Sequence, residues 1–216
     1  HLGKVLNIIG AIPNLGTSWM SREVVFAVLF TILIAAFDFM QWRKVGTSNT
    51  LMIVGWITAV VGLVLIYCMG MTYMLPVQPA WHTLATPVNF YLTALLLGVM
   101  GTAVMLMTSY AKIEKKNAEL DSFVKRTLQF ISVSGIVLLG LQFLVLPLYM
   151  AFLSTQGVAA IRTLNLMFND YGVLLALRLL LVFAGAGVLS AYLLWKAAVS
   201  GSEKTLANLT YSAFAL

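Results

Sequence analysis

Residues 51–71 have the sequence LMIVGWITAVVGLVLIYCMGM, in which no side chain is charged. A helix needs about 20 consecutive, mostly apolar residues to cross the hydrocarbon core of a membrane, which is about 30 Å thick. This stretch has that length and is apolar throughout. It therefore predicts a transmembrane helix.

Further apolar runs approach or exceed the same length, at about 23–41, 88–110, 127–150 and 172–195. Another run, 206–216, is too short to cross and predicts only the start of a further helix. Together these runs predict an all-α fold, a polytopic transmembrane helix bundle with five complete helices. We expect one transmembrane domain over residues 1–216, truncated at both ends.

The composition of the whole sequence favours a membrane protein over a soluble one. Hydrophobic residues make up 61% of the sequence and charged residues only 9%, whereas about 25% of residues are charged in an ordinary globular domain. Lipid solvates apolar side chains directly, so a membrane protein does not have to bury them. The net charge of +6 arises mostly in the loops, so we expect contact with membrane lipid and no nucleic-acid partner.

Lysine and arginine are distributed unequally between the two sides of the predicted bundle. Nine of them fall in the loops on one side, 42–50, 111–126 and 196–205, against three in the segments on the other side, 1–22, 72–87 and 151–171. Loops rich in these residues face the cytoplasm. We therefore expect the second set of segments to face outward, which in a bacterial inner membrane is the periplasm.

Few side chains in the sequence could bind a metal or a haem. Cys68 is the only cysteine, which excludes an intrachain disulfide and an iron–sulfur cluster ligated by cysteines of this protein. The two histidines, His1 and His82, both fall in outer segments rather than at membrane depth, where a haem would need its axial ligands. We expect no haem, metal or iron–sulfur cluster here, so a redox role requires an organic carrier or a partner's cofactors.

Glu23, at the head of the run 23–41, is a candidate for chemistry. A carboxylate at this position can stabilise the helix by about 0.3–1 kcal/mol through the helix dipole, with Ser21 as the N-cap. It can also act as an acid or base toward a lipid-soluble substrate at the membrane interface. His1 and His82 are either polar residues of outer segments or ligands of such a substrate, and Trp81 has the character of an interfacial anchor.

Two more charged residues lie within the apolar runs. Arg178 is about two turns into the run 172–195, where an uncompensated charge is costly. It either pairs with Asp170 toward the outer interface or belongs to a functional site. Asp38 lies near the inner end of its run, close to Arg43 and Lys44, and we expect it to be paired or to reach the interface.

Several segments together resemble the membrane-anchor subunits of the dimethyl sulfoxide reductase family. His-Leu-Gly at 1–3 and Ser-Arg-Glu at 21–23 resemble the motifs that close the second helix and open the third helix in that family. The segment WHTLATP at 81–87 resembles the one before the fifth helix, and Asp-Tyr-Gly at 170–172 with Arg178 resembles a later helix start. The resemblance implies an eight-helix anchor with both termini outside, of which this sequence would be a fragment.

The resemblance also implies a function. Such a subunit oxidises menaquinol near the outer surface and passes electrons to an iron–sulfur subunit, which feeds a molybdopterin catalytic subunit. The family's motif histidine and glutamate are implicated in quinol binding and correspond to His1 and Glu23, which we expect to be catalytic. The residues expected to bind the quinol or to stabilise the edge of its site are His1, Glu23, Arg178, Asp170, His82 and Trp81.

Two alternatives stay open at this point. The anchor of a polysulfide, thiosulfate or nitrite reductase would have similar spans and a different catalytic partner. A transporter-like or purely structural bundle would need no quinol site, although the sequence lacks the run of intramembrane charges that is typical of an ion path.

Overall fold

The computed structural model describes residues 12–114, 116–199 and 202–216, and most of these residues are helical. The α-helices, in sequence order, are α1 (Trp19–Arg43), α2 (Ser48–Tyr73), α3 (Ala85–Ala111), α4 (Ala118–Thr155), α5 (Gly157–Asn165), α6 (Gly172–Val182), α7 (Ser190–Ala198) and α8 (Glu203–Ala215). Two π-helical segments, Leu166–Asp170 and Phe183–Leu189, precede and follow α6. No β-strand occurs in the described part of the protein, so the predicted all-α class is confirmed.

Five helical stretches are long and apolar enough to cross a membrane. They are α1, α2, α3, α4 and the stretch Gly172–Ala197, which runs through α6, the second π-helical segment and most of α7. Each of these stretches contains most or all of one predicted apolar run. The molecule is therefore a multi-pass membrane protein. Its residues form two compact units, unit 1 up to Tyr91 and unit 2 from Leu92 to Leu216, and each unit is described by itself.

Unit 1 is built on an antiparallel hairpin of α1 and α2. The hydroxyl of Ser18 caps α1 by accepting a hydrogen bond from the N–H of Ser21, and the hydroxyl of Thr47 caps α2 in the same way. Between them, Lys44 ends α1 in the left-handed conformation, with a φ of 53°. One end of the hairpin holds Trp19 and Tyr73, and we call it the aromatic end. The other end holds Arg43 and Lys44, and we call it the basic end.

Unit 2 packs the remainder of α3 with α4, α7 and α8 around a buried apolar core. Met107 of α3 and Leu128 of α4 are completely buried there, and Leu193 of α7 and Leu206 of α8 belong to the same cluster. These contacts bring together elements that are far apart in the sequence. They fix the end of α3 and the first turns of α4 beside the start of α8.

Polar contacts tie the same helices together beyond the apolar core. The hydroxyl of Tyr110 donates a hydrogen bond to the carboxylate of Asp121 at 3.0 Å, and the ammonium of Lys125 donates to that carboxylate at 2.7 Å. Lys116 forms an ion pair with Glu203 at the start of α8. The segment 111–126, which the sequence predicts to be a loop on the basic side of the bundle, therefore also joins helices of unit 2.

The helix ends differ from the predicted runs. α1 begins at Trp19 instead of residue 23, and α8 begins at Glu203 instead of residue 206. The prediction of Ser21 as the N-cap is wrong, because Ser21 lies inside the first turn and donates its N–H to Ser18. Hydropathy identifies the part of a helix that fits the lipid core, whereas polar terminal turns continue the backbone hydrogen bonding beyond it.

The outer segment 151–171 and the run 172–195 are also more structured than predicted. The segment contains α5 and the first π-helical segment, and the run is interrupted by the second one. A π-helical segment arises when hydrogen bonds span one additional residue, and the apolar pattern does not report such a local change.

Candidate functional site

Glu23 lies in the second turn of α1, at the aromatic end of unit 1. Its side chain is half-buried and forms no ion pair among the described residues. The neighbouring Ser21 is buried and held in the first turn by its bond to Ser18. Among the described residues, Glu23 is thus a carboxylate without an ion-pair partner near the end of a membrane helix.

Arg22, beside Glu23, fastens the preceding loop to the start of α1. Its Nε donates a hydrogen bond to the carbonyl oxygen of Leu15 at 2.7 Å, and its Nη2 donates to the carbonyl oxygen of Gly16 at 2.8 Å. The guanidinium carbon also lies 4.2 Å from the centre of the Trp19 ring, within the range of a cation–π contact. The Arg22 guanidinium is thus bound to the loop and to Trp19, and it forms no ion pair with Glu23.

Aromatic contacts join α1 and α2 next to this carboxylate. The rings of Trp19 and Tyr67 meet edge to face, with their centres 5.6 Å apart, an arrangement that aromatic pairs favour. Cys68, the next residue on α2, is buried. The first turns of α1, which carry Glu23, therefore lie beside the last turns of α2.

A second group of rings lies where α2 leads into α3, and we call Tyr73, Trp81 and Phe90 the aromatic cluster. Tyr73 stacks on Phe90 with ring centres 5.5 Å apart and meets Trp81 edge to face at 5.6 Å. The hydroxyl of Thr86 donates a hydrogen bond to the carbonyl oxygen of Trp81 at 2.7 Å. This bond holds the loop that carries Trp81 against the beginning of α3.

The start of α3 is also attached to α2 by a polar contact. The hydroxyl of Tyr91 donates a hydrogen bond to the carbonyl oxygen of Leu63 at 2.8 Å. A tyrosine in this setting presents both an apolar ring and a polar tip. This bond attaches α3 to the interior of α2, whereas the aromatic end of unit 1 combines flat rings with the Glu23 carboxylate.

The structure places some of the predicted site residues together and leaves others apart. His1 lies outside the described residues. Glu23, Trp81 and His82 all lie at the aromatic end of unit 1, and Trp81 and His82 are exposed on its surface.

Asp170 and Arg178 belong to unit 2, and both are exposed on its surface. Within the described ranges they form no ion pair with each other, so the pairing considered from the sequence does not occur there. Asp38, near the basic end of unit 1, likewise has no ion-pair partner among the described residues.

Sequence reasoning missed Arg22, Tyr67 and Cys68 as neighbours of Glu23. Arg22 entered the sequence argument only in the count of basic residues and as the middle residue of the Ser-Arg-Glu motif, and Cys68 only as the single cysteine. The available signal was topological, because the antiparallel order of two consecutive spans brings the end of α2 back beside the start of α1. The hydrogen bonds from Arg22 to two loop carbonyls could not be predicted from its residue type.

We expect the variant Arg22→Gln to release the loop 12–18 from α1, because hydrogen bonds from charged donors contribute about 1.5–3 kcal/mol each. Hydrogen exchange of the amides of Thr17 and Ser18, measured by mass spectrometry, should become faster in that variant. Arg22→Lys should give an intermediate rate, since an ammonium can still reach one carbonyl. Unchanged exchange in Arg22→Gln would show that the loop does not depend on Arg22.

Comparison with known proteins identifies the family. Residues 1–213 match the family model described as "DMSO reductase anchor subunit (DmsC)". The chain belongs to this family. The match covers nearly the whole sequence and confirms the resemblance seen in its short motifs.

A curated relative agrees with the family assignment of this anchor subunit. It is a subunit of the anaerobic dimethyl sulfoxide reductase of Haemophilus influenzae and is 28% identical over 102 residues, which are 46% of the present sequence and 36% of the relative. The aligned segment therefore spans about a third of the length of that protein. No solved structure matches the sequence significantly.

Proposed function

We propose that this anchor subunit binds menaquinol at the aromatic end of unit 1 and oxidises it for a molybdoenzyme complex. The observation that carries the proposal is the position of Glu23, a half-buried carboxylate without an ion-pair partner in the described residues, at the end of a membrane-spanning hairpin. Membership of the anchor family supports the same function.

Oxidation of a quinol to a quinone releases two protons and two electrons. In this proposal the Glu23 carboxylate accepts a hydrogen bond from a quinol hydroxyl and then takes its proton. A carboxylate within hydrogen-bonding distance of a hydroxyl can act as a general base and accept its proton. His1, which corresponds to the family's motif histidine, contacts the second hydroxyl and accepts the other proton.

The aromatic cluster and Tyr67 suit the remainder of the substrate. A naphthoquinol ring is flat and apolar, and aromatic side chains bind such rings by stacking or by edge-to-face contact. Trp81, a member of this cluster, and the adjacent His82 are exposed and form the rim of the site. Asp170 and Arg178 lie in unit 2, and their role in quinol binding or at a protein interface stays a prediction from the sequence.

The electrons leave for an iron–sulfur subunit, which passes them to a molybdopterin catalytic subunit. In the described residues no group of three or more histidine, cysteine or acidic side chains is placed to hold a metal ion, so we route the electrons through the partner's clusters. The excess of basic residues in the loops at the opposite side supports a periplasmic quinol site in a bacterial inner membrane. The identity of the terminal acceptor follows from the catalytic subunit.

Binding of a fluorescent menaquinol analogue to the full-length protein in membranes tests this proposal. We expect saturable quenching of the analogue by the wild type and at least about tenfold weaker binding by Glu23→Gln, since the loss of a hydrogen bond to a charged group costs about 1.5–3 kcal/mol. Asp38→Asn removes a carboxylate from the other end of the same helix and should bind normally. No saturable binding by the wild type would contradict the function, and normal binding by Glu23→Gln would contradict the role of Glu23.

A further inference from the structure

The basic end of unit 1 contains an apolar groove that takes no part in the proposed quinol site. The groove has a volume of about 430 Å³ and lies between the two helices of the hairpin. Its lining residues are Phe37 of α1 and Leu51, Met52, Gly55, Trp56 and Ala59 of α2.

Gly55 contributes to the groove by lacking a side chain. A Cβ atom at that position would lie 3.4 Å from the ring of Phe37, so a larger residue would extend into the space beside the ring. Met52 and Trp56 are 58% and 69% exposed, which leaves the groove open toward lipid. No charged residue lines it, so its walls suit a hydrocarbon tail.

Next to the groove, Trp42, Arg43 and Lys44 form a basic corner. The guanidinium carbon of Arg43 lies 6.0 Å from the centre of the Trp42 ring, which is 76% exposed. Neither Arg43 nor Lys44 has an ion-pair partner within the described ranges. The nearest opposite charge in the sequence is Asp38, and α2 contains no charged residue, so the corner is net positive.

The groove and the basic corner lie at depths that match one lipid leaflet. From Leu51 to Ala59 the helix rises about 12 Å, and from Phe37 to Arg43 about 9 Å. Half of the hydrocarbon core is about 15 Å thick. A lipid whose headgroup is at Arg43 and Lys44 would therefore have its acyl tails at the depth of the groove.

We propose that the groove and the basic corner together bind one anionic phospholipid. One acyl tail occupies the groove, and the phosphate accepts hydrogen bonds from the Arg43 guanidinium and the Lys44 ammonium. Basic side chains next to membrane helices attract anionic headgroups, and arginine is well suited to phosphate oxygens. The tail of a quinone would also fit an apolar groove, but the quinone headgroup is uncharged and would gain no ion pair with Arg43 or Lys44.

The reporter for this site is Trp56, because its ring lines the groove. The full-length protein is reconstituted in phosphatidylcholine vesicles that contain a small fixed fraction of lipid with brominated acyl tails, which quench tryptophan on contact. The Trp56 signal is the difference between the wild type and Trp56→Phe. We expect brominated phosphatidylglycerol to quench this signal more strongly than brominated phosphatidylcholine at the same fraction.

Two kinds of variant separate the headgroup from the acyl tail. Arg43→Gln and Lys44→Gln should each lower the relative affinity for phosphatidylglycerol roughly fivefold, the effect of one basic charge at a membrane surface. Lys196→Gln, a basic residue of unit 2, should leave the Trp56 signal unchanged. Gly55→Leu, which fills the groove, should reduce quenching by both lipids. Equal quenching of the wild type by the two lipids would overturn the proposal, as would a preference that survives removal of both charges.

Discussion

Replacing Glu23 by glutamine is expected to lower menaquinol-dependent turnover of the complete complex by about 10²- to 10⁴-fold, the usual contribution of a general base. The carboxamide keeps the size of the side chain and removes its ability to accept a proton. Glu23 lies half-buried at the aromatic end of α1, so the substitution changes little of the packing. The rate of quinol oxidation by the complex in membranes measures the effect.

Two controls separate a chemical role of Glu23 from a structural one. Asp38→Asn removes a carboxylate from the same helix but from the basic end, and turnover should remain normal. Electron delivery to the catalytic subunit from an artificial donor, which does not require the quinol site, should be unaffected in Glu23→Gln. If the quinol turnover of Glu23→Gln stays within roughly twofold of the wild type, the decrease is too small for a lost general base. That result would exclude this role for Glu23.

The second large effect is expected from Gly70→Val in the last turns of α2. A Cβ atom at Gly70 would lie 2.8 Å from the Cα atom of Pro87, and a backbone atom cannot move aside in the way that the end of a flexible side chain does. Overpacking of this kind costs about 1–3 kcal/mol. Pro87 lies in the first turn of α3, immediately after the loop that carries Trp81, so the aromatic cluster should shift as well.

Thermal unfolding of the purified protein measures this loss of stability, and binding of the menaquinol analogue measures the shift of the cluster. We expect Gly70→Val to lower both the midpoint temperature and the affinity. Gly98→Val, also in a membrane helix, has no atom within 4 Å of the added Cβ and should change neither by much. Equal behaviour of the two variants would show that the contact between Gly70 and Pro87 is not tight in the membrane.

The spans of this protein could be predicted from its sequence because crossing a membrane imposes a length and a composition on each helix. The same argument could not locate the helix ends. Ser18 and Ser21 are both good N-cap residues, and the choice depends on which backbone N–H groups remain unpaired. The interruption at Phe183–Leu189 was missed because its residues are as apolar as those of an uninterrupted helix.

The end of the hairpin at which some candidate site residues lie could also be predicted from the sequence. Glu23, Trp81 and His82 could be placed at one end of the hairpin region, since the order of the spans determines which loops share a side. The contacts around them were not predictable. The bonds from Arg22 to the carbonyls of Leu15 and Gly16 and the stacking of Tyr73 on Phe90 depend on tertiary packing, which residue types alone do not determine.

The central claim is that quinol is oxidised at the aromatic end of unit 1, on the side away from the basic loops. The most direct measurement is the side on which protons appear when menaquinol is oxidised in sealed right-side-out membrane vesicles that contain the complete complex, with a one-electron acceptor that takes up no protons. The account predicts acidification of the medium outside the vesicles, with both protons released there and none in the lumen. Acidification of the lumen would contradict it, because the protons would then leave from the side that carries Arg43 and Lys44.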